Sequence, residues 1–355
     1  MNKFYYLFIS VLVLASTQYS LAQHSPVFSG FIEATYNYNF AKGSVNSLRS
    51  YDYRSNQILL NNVHIAVAGD PSEKLSYDAE LDFGTDASVH GLLYQGIFTT
   101  GTPIGADIQE AYFTYSFSNK FKFTAGKFVT FEGIELIEGP SDPTISRGYL
   151  YGLAEPFCHV GGYFTFLIND LFDLRLGAIN GWDKLVDNNS DKTIISRLGI
   201  NLGDLFTAGL SFYTGVEQDA STNWRKSLDL TGITKINTTV ALNFQANYGA
   251  ETFSDSSGNS SNTKWFGFTI QPVISLLPNI DLGLRAEYFA DDNGARTGIS
   301  GLKSFNFTIA PALKSDNFIF RSEYRFDNSN KQIFIEENGT AKNSDTISFE
   351  VTCVF

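Results

Sequence analysis

The sequence predicts an all-β protein: a transmembrane antiparallel up-and-down β-barrel of about 16 strands, with short periplasmic turns and long extracellular loops. Three observations predict it. Apolar and polar residues alternate with period two along sixteen runs of the chain, which is the strand period. The links between those runs alternate strictly between short and long, as a barrel with tight turns at one rim and loops at the other requires. Each run is about 9–13 residues, enough to cross the bilayer core at the usual tilt.

The chain opens on "MNKFYYLFISVLVLASTQYSLAQ". Lys3 is a minimal positive region, Phe4 to Ala15 a short apolar run, and Ser20-Leu21-Ala22 a small-x-small cleavage site. The run is too short to span a bilayer, so residues 1–22 read as a removed signal peptide and 23–355 as the outer-membrane barrel. Gln23 rather than Cys follows the cut, which argues against a lipid anchor.

The runs fall at 28–40, 57–69, 75–84, 107–117, 121–130, 160–168, 171–180, 194–202, 205–214, 225–235, 238–250, 264–275, 280–290, 303–313, 317–327 and 345–355. In the first, Phe28, Ile32, Ala34, Tyr36, Tyr38 and Phe40 share one face, Glu33, Thr35, Asn37 and Asn39 the other, and Phe31 breaks the pattern. In "IDLGLRAEY", Ile280, Leu282, Leu284, Ala286 and Tyr288 oppose Asp281, Arg285 and Glu287. The short links are of the type "DPSEK", "SNK", "ND" and "GD"; the long ones are 41–56, 85–106, 131–159, 181–193, 215–224, 251–263, 291–302 and 328–344. Alternation alone also fits a soluble sandwich, but a Greek-key sandwich has no reason to alternate its links. Aromatics at strand ends, among them Tyr38, Phe40, Tyr115, Phe117, Phe318, Tyr324 and Phe326, suit interfacial girdles. A sheet in hydrocarbon must close on itself, so 28–40 is expected to pair with 345–355.

Removal of 1–22 takes the formal charge from −12 to −13, a balance that argues against nucleic acid as a partner. Cys158 and Cys353 fall at opposite ends of the predicted topology and are expected to be free.

The stretches "FSGFIEATYNYNF" and "YDYRSNQILLNNVHIAVAG", then "AYFTYSFSNKFKFTAGKFVTFEGIE", "TISRGYLYGLAEPFCHVGG" and "LRLGAINGW", resemble the OmpL-like β-barrel porins of the porin-2 family over nearly all of the chain after residue 22. The resemblance implies an outer-membrane barrel and supplies no catalytic residues. The last strand, ending on Phe355, also resembles the C-terminal signature of Gram-negative outer-membrane proteins, which implies the barrel-assembly machinery as a partner beside outer-membrane lipid and lipopolysaccharide.

Strand parity points Glu33, Asp78, Glu80, Glu110, Asp173, Asp229, Asp281, Glu287, Glu323 and Glu350 inward, with Lys122, Arg175, Arg197, Arg285, Arg321 and Arg325. About sixteen strands leave a water channel that such charges solvate and bias; the same charges can equally be ion pairs that hold the wall. The acidic excess leans ion preference toward cations. The 131–159 link, with Glu135, Glu138, Asp142 and Glu155 around Arg147, has two competing placements. It folds into the pore, its carboxylates facing Arg175 and Arg197, or it forms a lid on the outer surface. Asp86, Ser88 and His90 could place a Ser–His pair in an outer loop. No nucleophile elbow or His-Glu-x-x-His spacing is present, so neither catalysis, a metal nor a cofactor is expected.

The function expected is passive diffusion of small hydrophilic solutes or ions. An adhesin or structural barrel, for which the acidic loops "ETFSDSSGNSSN" and "IEENGTAKNSD" could supply contacts, is the alternative, and an outer-membrane hydrolase the weaker one. A homo-oligomer is compatible with the pattern.

Overall fold

In the computed structural model, residues 25–94, 104–219, 221–254 and 260–355 are described. The signal-peptide assignment lies outside them. The strands are β1 Val27–Asn39, β2 Gln57–Ser72, β3 Leu75–Gly84, β4 Gly105–Ser118, β5 Phe121–Val129, β6 Cys158–Leu167, β7 Phe172–Ile179, β8 Thr193–Asn201 and β9 Phe206–Val216. They continue with β10 Trp224–Lys235, β11 Val240–Ser254, β12 Ser260–Leu277, β13 Ile280–Asp291, β14 Leu302–Ser315, β15 Phe318–Ser329, β16 Phe334–Glu336, β17 Gly339–Ala341 and β18 Asn343–Val354. All but β16 and β17 join one closed antiparallel barrel in which each strand pairs with its sequence neighbours.

Closure is made by β1 and β18, in register from Phe31↔Val354 to Asn39↔Thr346. Gly30 and Phe355 extend that ladder by exchanging both backbone hydrogen bonds at 2.9 Å. Each backbone group left open in hydrocarbon would cost several kcal/mol, and closure removes the two edges where that cost would fall.

The alternation sorts the side chains. Ile32, Ile65, Phe113, Leu198, Phe268, Phe320 and Val351 are exposed on the outer face, where lipid covers them. Aromatic rings form part of the girdle on β4–β6: the Phe117–Phe121, Phe121–Phe166 and Phe123–Phe164 centroids lie 4.9 Å apart. Phe31, the exception in the first run, faces the lumen and stacks on His64 at 4.9 Å. Bulges at Glu33/Ala34 and Glu80/Leu81 reset the parity locally. Cys158 and Cys353 are not joined by a disulfide.

Two loops hold structure absent from the sequence reading. Residues Thr85–Tyr94 form a helix, α1, with Asp86 in its first turn, where the helix dipole favours an acid. In the 328–344 loop β16 and β17 make a hairpin, Glu336 opposite Gly339. Its two-residue turn is Glu337-Asn338, followed by Gly339 at positive φ, within a stretch whose sequence predicts only polar loop.

Candidate functional site

The segment 131–157 has little regular structure, apart from a 3-10 turn at Gly139–Ser141 and a π turn at Leu150–Ala154. Its backbone groups therefore need partners from elsewhere. Inward-facing side chains of the barrel supply them. Glu323 on β15 accepts from Ile145 N at 2.6 Å and from Ser146 N, and Glu287 on β13 accepts from Tyr149 N at 2.6 Å and Leu150 N at 2.8 Å. Asp229 on β10 accepts from Gly133 N at 3.1 Å, and Tyr213 OH on β9 accepts from Phe131 N at 3.0 Å. The loop carbonyls are met by arginines. Arg321 donates to Gly139 O at 2.7 Å, and Arg325 to Arg147 O at 2.6 Å. Within the segment, Arg147 donates to the carbonyls of Leu136 at 2.7 Å and of Ile137 and Ile145 at 2.9 Å.

Arg285 on β13 is the densest node. Its guanidinium pairs with Glu135 at 2.7 Å, donates to Thr144 Oγ1 at 3.0 Å and to Ser146 Oγ at 2.9 Å, and reaches back to Asn306 and Thr308 of β14. It has no exposed surface. Charges this deep persist only when paired and hydrogen-bonded, and these are.

Apolar contacts seat the far end of the segment. Tyr149, Leu150 and Ala154 pack with Trp182, Trp265 and Phe289 in one buried cluster. Trp265 Nε1 also donates to Ala154 O at 3.1 Å, which satisfies the one polar group its ring buries. Two inward glycines make room. A Cβ on Gly283 of β13 would stand 2.1 Å from Pro143 O, and one on Gly267 of β12 would stand 2.6 Å from a Leu150 methyl.

The wall divides accordingly. From β9 through β15, β18 and β1, Ser211, Asp229, Gln245, Gln271, Arg285, Asn306, Arg325, Glu350 and Thr35 are all buried. On β3–β8 the inward residues nearer the outer loops, Asp82, Asp107, Gln109, Thr124 and Ile195, are buried as well, while Asp78, Glu80, Glu110, Tyr112, Lys122, Tyr163, Thr165, Asp173, Arg175 and Arg197 face the same lumen half-exposed, as do Asn243 on β11 and Asp281 on β13.

Glu132 and Glu155 of the segment meet Asp229 of β10 where Ser227, Gln245 and Asn247 hydrogen-bond all three carboxylates. Burial and the Asp229 charge push the Glu132 and Glu155 carboxyls well above their ordinary value of 4.5. A raised folded-state value means that the stabilisation is full below 4.5 and is lost as pH climbs through the raised value. The contact of 131–157 with the wall is therefore expected to loosen reversibly on alkalinisation, read as rising protease cleavage within the segment; Glu155→Gln should flatten that dependence.

The family model described as "putative beta-barrel porin-2, OmpL-like" matches residues 27–355. The chain belongs to this family. Among solved structures, this porin-2 barrel is similar to the outer membrane channel DcaP of Acinetobacter baumannii, at 12% identity and a TM-score of 0.64, covering 93% of this chain and 97% of that one. It is also similar to an anion-selective porin from Comamonas acidovorans, at 9% identity and a TM-score of 0.64, covering 93% and 99%. A trimer form of OmpT, an outer membrane protein of Vibrio cholerae, matches at 13% identity and a TM-score of 0.61, covering 93% and 99%. At such identities these likenesses establish the fold. No curated protein matches the chain significantly.

The porin-2 barrel distributes the sequence-predicted residues unevenly. Glu33, Arg285, Glu287, Arg321, Glu323 and Arg325 are buried against 131–157 or paired beneath it, Arg321 with Glu350 at 2.7 Å. Asp78, Glu80, Glu110, Lys122, Arg175 and Arg197 are the half-exposed set. The expectation that the loop acids face Arg175 and Arg197 is corrected. Glu135 pairs with Arg285, Asp142 with Arg147 at 2.8 Å, and Glu138 and Glu155 accept from Gln109 and Gln245. Parity shows which residues point inward but not which arc of wall a loop leans on; the glycine notches at 267 and 283 decide that. Asp86, Ser88 and His90 lie on α1 rather than in an open loop. Residues two apart on a helix point away from each other. Ser88 Oγ donates to Gly84 O at 3.3 Å, while His90 meets Tyr51 OH.

Sequence reasoning missed Tyr51, Arg49, Trp182, Trp265 and Arg296 of this porin-2 barrel. Arg49 of the first loop ion-pairs with Asp327, and Tyr51 OH bonds Tyr151 OH. Arg296 stacks on both tryptophans at 4.9 and 5.2 Å. Burial beside Arg225 draws its guanidinium down to about 10. Trp265 could have been found: it is a large aromatic at an inward position of an otherwise polar row.

Proposed function

We propose that this outer-membrane barrel passes small hydrophilic solutes by diffusion, and that 131–157 narrows the lumen to a passage along β3–β8. The observation that supports this most is the continuous set of half-exposed polar side chains on β3–β8, from Asp78 and Glu110 to Lys122, Arg175 and Arg197, beside the wall from β9 to β15 that 131–157 is hydrogen-bonded to. Polar side chains on a water-accessible arc solvate a permeant solute and bias its charge, while the pinned segment sets the bore. The lipid-facing apolar surface makes outer-membrane lipid the surrounding solvent and lipopolysaccharide the expected neighbour in the outer leaflet. Phe355, which closes the barrel with Gly30, is the residue through which the barrel-assembly machinery would read the chain. By analogy with the trimeric OmpT form, self-association is part of the proposal.

Planar-bilayer recording tests it. The wild-type barrel should give a stable small conductance, and deletion of 136–150 should raise it. An unchanged conductance in the deletion variant rejects the narrowing. Silence in both proteins rejects diffusion and favours an adhesin or structural barrel.

A further inference from the structure

The lumen arginines fall into two chemically different groups. Arg147, Arg285, Arg321 and Arg325 are at most 5% exposed and are consumed by loop carbonyls and carboxylates. Arg175 and Arg197 are not. Their side chains are 36% and 21% exposed on the open arc.

The barrel register sets them in a row. Lys122 on β5 is opposite Thr165 on β6, Thr165 opposite Arg175 on β7, and Arg175 opposite Arg197 on β8. All four point inward. Like charges directly opposite across a strand pair repel, so this row demands an anion. One carboxylate, Asp173, serves both guanidiniums and serves them loosely: its Oδ1 is 3.7 Å from Arg175 Nε and 3.4 Å from Arg197 Nη1. Arg175 Nε makes no hydrogen bond. The two guanidiniums thus share one acid between them.

The packing holds the row in place. Arg175 lies over the rings of Phe131 and Tyr163, at 5.4 and 5.9 Å. Arg197 lies across Gly209, where a Cβ would stand 2.7 Å from its Nε. Stacked, fixed guanidiniums present their N–H forks to a carboxylate or phosphate in the geometry that favours bidentate bonding. Asp70 and Glu73 of the β2–β3 turn line a cavity with Lys122, whereas Asp78 and Glu80 on β3 and Glu110 on β4 are separated from the Arg175–Arg197 pair by β5 and β6.

We infer that Lys122, Arg175 and Arg197, with the Thr165 hydroxyl between them, form an anion-binding row in the passage, and that the solutes handled there carry a carboxylate or phosphate group. This rests on the diffusion reading for its transport consequence, but not for binding. It runs against the cation lean expected from the acidic excess of the sequence.

Two readouts on the refolded full barrel test it: calorimetric binding of inorganic phosphate and, separately, of acetate, and the reversal potential in a KCl gradient. Arg175→Gln/Arg197→Gln should weaken binding by about tenfold or more and move the reversal potential toward the cation limit. Arg175→Lys/Arg197→Lys should keep the reversal potential and lose affinity, because it retains charge without the fork. Phosphate in preference to acetate would mark a phosphate-bearing solute, and the reverse a carboxylate. Equal binding by wild type and the glutamine pair, or none by wild type, overturns the row. If wild type binds phosphate through these residues yet carries no current, the row stands and the diffusion proposal falls. If current flows with selectivity and binding unchanged in the glutamine pair, diffusion stands and the row falls.

Discussion

Arg285→Ala should release the central part of 131–157 from the wall and raise single-channel conductance severalfold. The substitution removes six side-chain hydrogen bonds from a group with no exposed surface. It also leaves Glu135 as a buried carboxylate without its guanidinium. Removing one partner of a buried pair costs about 3–5 kcal/mol, most of it the penalty on the charge left behind. The barrel ladder makes no use of this side chain, so the cost falls on the loop. Limited proteolysis should cut the variant between 131 and 157 while the strands stay protected. Arg285→Met, which keeps volume, should behave like the alanine variant; if it stays closed, the ion pair is not what pins the loop.

Gly283→Val should give the same open phenotype by a different route. Here no charge is lost and no hydrogen-bond partner removed. The new Cβ would stand 2.1 Å from Pro143 O, a contact that side chains do not tolerate, so the loop must move or the strand must bend. The strand is held by ladders on both sides, with Gly283 opposite Val273 on β12 and Ala310 on β14. The loop is the element free to yield. The expected result is higher conductance with barrel heat stability unchanged. Val186→Ala is the control: the side chain is exposed in the outer loop between β7 and β8, and its loss should leave conductance as it is.

Much of the barrel was legible in the sequence because the physics of its wall is local. Period two fixes which residues face lipid, as in Ile280 to Tyr288. The need to satisfy every backbone group forces the first and last strands together. Glu33, Arg285 and Glu323 could be placed inward on parity alone. What parity cannot carry is contact across the lumen. Glu135 meets Arg285 from 150 residues away in the chain, and no periodicity relates them. The same holds for Arg49 and Asp327. The helix α1 was missed for another reason: ten residues with Gly91 and two β-turn formers nearby give too short a run for the helical period to stand out. The hairpin β16–β17, turning at Glu337-Asn338, does not stand out because three-residue strands carry almost no alternation.

The most direct measurement is thiol accessibility of two inward positions in a chain whose Cys158 and Cys353 are replaced by serine. Thr165→Cys sits on the half-exposed arc of β6; Thr308→Cys sits on β14 under the Ser146 region, with no exposed surface in the native side chain. A water-soluble, membrane-impermeant methanethiosulfonate should modify Thr165→Cys quickly and reduce its current, and should leave Thr308→Cys unmodified until Arg285 is also replaced by alanine. Equal modification of both positions in the native background would mean that water fills the lumen evenly and that 131–157 does not divide it.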